Sequence, residues 1–429
     1  MNDYEKTIKY LEELNKFGWK PGLERIEKLL NLLGNPHQGI KYIHVGGTNG
    51  KGSVTVSLTK ILTEQGYKTG QYISPELFDV RERIQINGRW IPESKLIEYV
   101  SLIKEKTAVM SDMQMEGPTN FEVWTALAFL YFQEENVEFA VIEVGLGGEI
   151  DSTNVIDPLL SIITNVTMDH KDYLGATVEE IAKVKSGIIK KGRTIITGSQ
   201  DEKVIQILMK KANELESRLL IYNQDFTTEE ISLEPQMTKF IFNNKNLELN
   251  VEYSLTRSHQ LNNGALVIEA ICCLMELGYQ IDINKVVNAM KKISWPGRLE
   301  LLTYQGKKVL LDAAHNLDGA KSLAYALQNI YCYENLIMII GILADKDRKA
   351  MIDMIGPLAH KVIVTKPNND RAAGFEKIAE YFQPYTTEII IEEDLFKALS
   401  KGIALTGAGD LLCIAGSIYM LKDIRKIFN

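Results

Sequence analysis

A glycine-rich segment at residues 46–53, GGTNGKGS, carries the residue types of a phosphate-binding loop. An apolar run at residues 42–45 predicts a buried strand before it, and the pattern at residues 54–65 predicts a helix after it. Glycines let successive backbone N–H groups converge on one point, and the N-terminus of a helix adds a positive dipole. Lys51 supplies a full charge, and Ser53 offers a hydroxyl suited to Mg²⁺. The segment therefore predicts a nucleotide-phosphate site.

The spacing of this loop differs from the common Walker A pattern. Val45 stands where the usual first glycine would fall, and Gly52 separates Lys51 from Ser53. A glycine-rich turn without a ligand is the alternative interpretation. The Gly-Lys pair and the following serine, placed between a strand and a helix, favour the phosphate site.

Other candidate residues follow buried runs that predict parallel strands. Glu143 ends the run FAVIE, a position that suits a carboxylate holding Mg²⁺, although a paired structural carboxylate is the alternative. His170 follows the run at residues 162–166 and either binds a metal or nucleotide or is a satisfied polar residue. Because ligands of such folds bind at the carboxyl ends of strands, we expect both residues near the loop.

Two further segments are ambiguous by themselves. The turn GLGG at residues 145–148, followed by DSTN at 151–154, is a candidate wall of the pocket beside Glu143. The segment at residues 181–192 contains four lysines, and a solvated basic face at the end of a helix is its default interpretation. The spacing selects none of these lysines.

Strand patterns alternate with helical ones, which predicts an α/β protein whose mostly parallel sheets are covered on both faces. The predicted strands of the first part lie at 42–45, 71–73, 139–144, 159–164, 194–197 and 219–222, with an antiparallel patch at 226–255 and helices at 260–277 and 283–292. The predicted strands of the second part lie at 309–311, 336–340, 362–364, 389–391 and 411–414. The segment WPGR at 295–298 predicts the boundary, since proline ends a helix and glycine allows a turn.

We therefore predict two domains, residues 1–295 and 296–429. The first is expected to be a P-loop mononucleotide-binding domain, and the second a smaller Rossmann-like α/β domain. Arg298, Asp312, His315 and Asn316 cluster at the start of the second domain, and Asn263 opens a helix where it could serve only in capping.

Composition narrows the function classes. The 429 residues carry a net charge of −8, which argues against general nucleic-acid binding. The N-terminus lacks the apolar core of a signal peptide, and the apolar runs are too short to span a bilayer. The four cysteines show no metal-ligand spacing, so we expect reduced core thiols in a cytoplasmic protein.

Taken together, these segments resemble the folylpolyglutamate synthase/dihydrofolate synthase family of the Mur ligase superfamily. The motifs that carry the resemblance cover nearly the whole chain and stand in the family's order: HVGGTNGKGS (44–53), ISPELFDVRERI (73–84), NFEVWTALAF (120–129), VIEVGLGGEIDSTN (141–154), TMDHKDYLG (167–175), KVKSGIIKKG (183–192), HQLNN (259–263), WPGRLE (295–300), LDAAHNLDG (311–319) and GILADKD (341–347). The combination is specific, although no single motif is.

The resemblance implies an ATP-dependent amide ligase, with ATP and Mg²⁺ as cofactors, that joins L-glutamate to a folate or to dihydropteroate through an acyl phosphate. It leaves open whether the enzyme adds the first glutamate, extends existing tails or does both. A monomer is expected, with no nucleic-acid or membrane partner.

The resemblance also implies roles for individual residues. Lys51, Lys185 and His315 are the expected catalytic residues, and Lys185 matches a lysine that the family carbamylates. The expected ATP-binding residues are Gly47, Thr48, Asn49, Gly50, Lys51, Gly52, Ser53, Asn263, Arg298 and Asp312. Ser74 and Glu143 are expected to bind a first Mg²⁺, and His170 a second. Phe121 and Arg83 are expected near the pterin, and Ser417, like His315, near the incoming glutamate.

Two alternatives remain. A Mur-type enzyme that extends a UDP-sugar peptide usually carries an additional N-terminal domain, whereas the phosphate loop begins here at residue 46. A nucleotide-dependent switch would bind ATP without ligation and would have no need of Asp312 and His315. Both features favour the folate ligase.

Overall fold

The computed structural model describes residues 1–18, 20–169, 171–255 and 258–428. Its first part is an eight-stranded sheet with helices on both faces. The strands are β1 (Lys41–Gly46), β2 (Thr69–Tyr72), β3 (Ile84–Ile86), β4 (Arg89–Trp90), β5 (Phe139–Glu143), β6 (Pro158–Ile163), β7 (Thr194–Thr197) and β8 (Arg218–Ile221). The helices are α1 (Asp3–Glu13), α2 (Glu24–Leu32), α3 (Lys51–Gln65), α4 (Glu93–Asp112), α5 (Asn120–Glu134), α6 (Lys171–Leu174), α7 (Val178–Ser186) and α8 (Glu202–Glu214).

The strand order of this sheet is β4-β3-β2-β5-β1-β6-β7-β8, and all pairs except those of β3 and β4 are parallel. Strand β1 lies between β5 and β6, so the ends of these three strands meet at one edge. Its side chains alternate between two cores: Ile43 and Val45 pack towards α3, and Tyr42 packs towards α5. This alternation is what a parallel sheet covered on both faces requires.

A three-stranded antiparallel sheet follows, built from β9 (Phe226–Glu234), β10 (Met237–Asn244) and β11 (Glu248–Tyr253). It packs on α9 (Ser258–Glu276), where the ring of Phe240 lies against Gly264. Helix α10 (Ile283–Met290) completes this part of the chain.

The last part is a six-stranded sheet of order β12-β13-β17-β14-β15-β16. Its strands are β12 (Glu300–Tyr304), β13 (Lys307–Asp312), β14 (Leu336–Ile340), β15 (Lys361–Val364), β16 (Ile389–Ile391) and β17 (Leu411–Ala415). Its helices are α11 (Leu317–Asn329), α12 (Arg348–Ile355), α13 (Lys377–Phe382), α14 (Leu395–Leu405) and α15 (Ile418–Ile424). All strand pairs are parallel except β12 with β13.

The α/β class and the mostly parallel sheets are confirmed. Three antiparallel strands were not predicted: β3 and β4 at one side of the first sheet, and β12 at the edge of the last. Strands β3 and β4 have only three and two residues, and the side chains of β12 are partly exposed without a clear alternation. Helix α3 begins at Lys51 rather than at residue 54, since Gly50 in a left-handed conformation ends the loop there. The division between residues 295 and 296 stays a prediction. No helix in the described part of the chain is long and apolar enough to cross a membrane.

Replacing Phe240 by alanine tests the packing of the three-stranded sheet on α9. Its side chain is fully buried, so we expect a loss of about 3–5 kcal/mol of unfolding free energy. In the adjacent strand, Ile231 is 57% exposed, and Ile231→Ala should change the stability by less than about 0.5 kcal/mol. Calorimetric unfolding measures both variants, and equal losses would contradict this packing.

Candidate active site

The glycine-rich loop is fixed by the segment that follows β6. The N–H of Thr48 donates to the carbonyl of Asn165 at 2.9 Å, and the N–H of Asn49 donates to the Asn165 side-chain oxygen at 2.8 Å. The hydroxyl of Thr164 donates to the carbonyl of Asn49 at 2.6 Å. These bonds hold the loop against the sheet edge before any ligand arrives.

Two glycines of the loop leave no room for a side chain. Gly47 has φ +134°, and a Cβ there would lie 2.0 Å from the hydroxyl oxygen of Thr164. Gly50 has φ +88°, and its Cβ would lie 2.6 Å from the side-chain oxygen of Asn263. Both the backbone conformation and the close approach therefore require glycine.

The loop lines a cavity of about 620 Å³ between the first and the last sheet. All seven predicted loop residues line this cavity: Gly47, Thr48, Asn49, Gly50, Lys51, Gly52 and Ser53. Lys51 also donates to the carbonyl of Thr48 at 3.2 Å, and the Ser53 hydroxyl accepts from the Gln260 side chain at 3.2 Å. The seven residues thus form one continuous wall.

Glu143 and Ser74 lie together in the same cavity. Glu143 ends β5 and is only 5% exposed, and its carboxylate accepts from the N–H of Ser74 at 3.3 Å. Burial raises the pKa of Glu143 to about 7. A buried carboxylate with so little compensation favours a bound cation. The donor set of one carboxylate and nearby hydroxyls fits the oxygen ligands that Mg²⁺ takes.

Lys185 lies on α7 and reaches the opposite side of the loop. Its ammonium donates to the carbonyl of Gly47 at 2.8 Å, and the side chain is 4% exposed. Burial and the nearby Lys51 lower the pKa of Lys185 to about 7. A substantial fraction of its amine is therefore neutral at neutral pH.

The last sheet contributes Arg298 and His315 to the cavity. His315 Nδ1 lies 2.9 Å from the carbonyl of Ala313, so this nitrogen carries the proton. Burial and the charge of Arg298 lower the pKa of His315 to about 4, which keeps the imidazole neutral. Asn316 extends from the same turn and donates to the side chain of Asn49 at 3.2 Å.

Two of the expected ATP-binding residues lie behind the cavity wall. Asn263 packs on Gly50 and donates to the Gln260 side chain at 2.9 Å. Asp312 is fully buried, and its carboxylate accepts from the N–H groups of Leu299 and Ala314, both at 2.9 Å. In this structure, Asn263 supports the loop at Gly50. Asp312 holds the backbone at Leu299 and Ala314, next to residues that line the cavity.

A second cavity of about 450 Å³ adjoins the first. It contains the three expected substrate residues, Arg83, Phe121 and Ser417. Arg83 pairs with Glu76 at 2.7 Å, Phe121 stacks on Tyr72 with ring centroids 5.9 Å apart, and the Ser417 hydroxyl caps α15. The two cavities share Ser74, Pro75, Gly145, Leu146, Arg298 and His315.

His170, the expected ligand of a second metal, lies outside the described residues. The preceding Asp169 forms an ion pair of 3.4 Å with Lys346, which lies between β14 and α12, and both side chains are 13% exposed. Among the described residues, no group of three or more histidine, cysteine or acidic side chains could by itself hold a metal ion. The four cysteines are free.

Sequence reasoning did not select Asn165, Trp295 or Lys346, although all three line these cavities. Trp295 lies at the predicted boundary and in the motif WPGRLE, and its ring lies 2.7 Å from where a Cβ of Gly52 would be. Lys346 lies in the quoted motif GILADKD, and only the fold brings it to Asp169.

Comparisons with known proteins agree with this geometry. The Mur ligase middle domain matches residues 45–271, and the glutamate ligase domain of Mur ligases matches residues 297–418. The fold and the site therefore define an ATP-dependent ligase of the Mur ligase type.

The sequence is 33% identical to the dihydrofolate synthase/folylpolyglutamate synthase of Bacillus subtilis (strain 168), over 99% of this chain and 98% of the relative. It is 34% identical to the folylpolyglutamate synthase of Lacticaseibacillus casei, again over 99% and 98%. A Mycobacterium tuberculosis folylpolyglutamate synthase complexed with ADP superposes with a TM-score of 0.91 at 28% identity, over 99% of both chains. The chain belongs to the folylpolyglutamate synthase/dihydrofolate synthase family.

Gly47→Ala tests whether this loop binds the nucleotide. The added methyl group would overlap Thr164, so we expect ADP affinity to fall by about 100-fold, measured by calorimetric titration. Gly66→Ala, at the other end of α3, is the matched control. Its φ of +101° is also unfavourable for alanine, but no atom lies within 4 Å, so it should cost about 1 kcal/mol of stability with unchanged ADP affinity. Normal ADP binding by Gly47→Ala would contradict the assignment.

Proposed function

We propose that this enzyme uses ATP to join L-glutamate to the carboxylate of a folate or of dihydropteroate. The observation that carries the proposal is the wall shared by the two cavities, which includes Gly145, Leu146, Arg298 and His315. A triphosphate in the first cavity and an acid in the second would meet at this wall. The relatives' names support the choice of substrates.

The chemistry follows from the weak electrophilicity of a carboxylate. A carboxylate oxygen attacks the γ-phosphorus of ATP, ADP leaves, and an acyl phosphate forms. The amine of glutamate then attacks the acyl carbon. The resulting tetrahedral intermediate loses a proton from nitrogen and expels inorganic phosphate to give the amide.

Charge on the transferred phosphoryl group needs neutralisation by fixed cations. Lys51 at the loop and Arg298 at the shared wall are placed to supply it. Glu143 and Ser74, with the hydroxyl of Ser53, would hold Mg²⁺. The ion would neutralise phosphate charge when bound.

We further propose that Lys185 is carbamylated. Its neutral amine would add to CO₂ and release one proton, giving an anionic carbamate beside Gly47. The lowered pKa of Lys185 supports this step, because only the neutral amine is nucleophilic. His170 is proposed to bind a second Mg²⁺.

In the second cavity, Phe121 and Arg83 would contact the pterin part of the acceptor. His315 and Ser417 would lie near the incoming glutamate. The cytoplasmic location and monomeric state expected from the sequence stay predictions.

One assay tests the proposed ligase activity and distinguishes between the possible acceptor substrates. Purified enzyme is given ATP, Mg²⁺ and labelled glutamate with dihydropteroate or tetrahydrofolate in parallel. Label in product from dihydropteroate alone, tetrahydrofolate alone or both identifies the acceptor. ATP binding without glutamate-dependent ADP release would contradict the ligase and favour a nucleotide switch.

Lys51→Ala should lower kcat by about 100-fold or more, because it removes a cation from the phosphate cavity. Lys60→Ala is the matched control, since Lys60 lies on the same helix, does not line the phosphate cavity and forms an ion pair of 2.6 Å with Glu64. Coupled ADP-release kinetics measure both variants. Near-normal turnover by Lys51→Ala with an unchanged Tm would remove Lys51 from the mechanism.

Lys185→Ala should lose most activity and regain part of it when a short carboxylate such as acetate or formate is added. The added anion would occupy the position of the carbamate. Lys183→Ala, on the exposed side of the same helix, should behave like the wild-type enzyme and show no response to acetate. Full activity of Lys185→Ala, or a loss without any rescue, would contradict carbamylation.

A further inference from the structure

A chain of buried polar groups connects β1 to the second cavity. His44 in β1 is fully buried, and its Nε2 lies 2.9 Å from the hydroxyl oxygen of Thr153. The Thr153 hydroxyl donates to the carboxylate of Asp151 at 2.5 Å. Asp151 is 3% exposed and lines the second cavity. The established contacts of the phosphate loop do not use this chain of groups.

The direction of these bonds is fixed. The only proton of the Thr153 hydroxyl goes to Asp151, so its oxygen must accept from His44. His44 is therefore protonated at Nε2. Burial and the charge of Lys190 lower its pKa to about 3, so the imidazole is neutral. In the described part of the chain, Nδ1 of His44 has no hydrogen-bond partner.

Asp151 connects Thr153 to the wall that both cavities share. One carboxylate oxygen accepts from the hydroxyl and the N–H of Thr153, the latter at 3.0 Å. The other oxygen accepts from the N–H of Leu146 at 2.8 Å. Leu146 and Gly145 are part of the shared wall, so the orientation of Asp151 helps to determine the position of this part of the wall.

We propose that His44 is a positioning residue, which acts through Thr153 and Asp151 to hold the Gly145–Leu146 turn between the two reactants. The inference rests on the proposed function, in which phosphoryl transfer takes place at that turn. His44 itself is fully buried and lines neither cavity.

A purely structural role would not favour histidine at this position. The residues around β1 on this face are apolar, with Tyr42 and Phe129 among them. A buried nitrogen without a partner costs about 1–3 kcal/mol, which an apolar side chain would avoid. Compared with an apolar side chain, histidine adds the hydrogen bond from its Nε2 to the Thr153 hydroxyl.

Four variants test the proposal. Thr153→Val breaks the connection with little change in volume, and His44→Phe breaks it with a larger ring. Each should lower kcat by about 10- to 100-fold because the reactants lose alignment. The double variant should be no slower than either single variant, since both remove the same connection. His44→Gln should recover most of the rate, because its amide nitrogen can replace Nε2 as a donor.

Tyr42→Phe is the matched control on the same face of β1. It loses only the bond from its hydroxyl to the His37 carbonyl, 2.9 Å long, and should keep wild-type kcat. ADP affinity, measured by titration, should stay within about twofold in every variant, because the phosphate loop keeps its own anchors.

Additive losses in the double variant, no recovery by His44→Gln, or a parallel fall in ADP affinity would each overturn the role of His44. Should His44→Phe fail to fold, Thr153→Val and His44→Gln carry the same comparison. A wild-type enzyme without glutamate-dependent ADP release would instead contradict the proposed function. Active wild-type enzyme with equally active variants would overturn this inference alone.

Discussion

The phosphate loop is held by the segment that follows the neighbouring strand β6, and the rest of the site depends on that attachment. Asn165 accepts from the N–H groups of Thr48 and Asn49, and Thr164 fills the space beside Gly47. Since β1 lies between β5 and β6, the same edge that fixes the loop also carries Glu143. The parallel order of three strands thus places the candidate phosphate site and the Glu143 carboxylate together.

Burial changes the pKa values of the charged side chains near this edge of the sheet. Glu143 and Lys185 have opposite charges when ionised, yet burial moves both pKa values to about 7, from opposite directions. Each unit of displacement corresponds to about 1.4 kcal/mol between the two protonation states, so both groups favour a partner that compensates their burial. The proposed divalent cation would compensate the buried charge of Glu143, and the proposed carbamylation would remove the buried ammonium of Lys185. The buried charges are consistent with a site built for highly charged reactants.

The sequence predicted the elements whose signals are local. The glycines of the loop, the buried parallel strands and the residue at the end of β5 each follow from short-range patterns, and the resemblance added residues that spacing could not select, such as Lys185. Edge strands such as β12 were missed because partial exposure removes their alternation. The packing of Asn263 on Gly50, the bond from Leu299 to Asp312, the pairing of Lys346 with Asp169 and the bond between His44 and Thr153 depend on contacts distant in sequence. Such contacts have no local signal.

Transfer of an oxygen atom tests the central claim most directly, namely that the acid in the second cavity attacks ATP at the shared wall. An acceptor labelled with ¹⁸O in its carboxylate is converted with ATP and glutamate, and the released phosphate is analysed by mass spectrometry. An acyl phosphate requires that one carboxylate oxygen leave with phosphate, so each turnover on fully labelled acceptor should produce phosphate with a single ¹⁸O. Unlabelled phosphate accompanying amide formation would contradict the account.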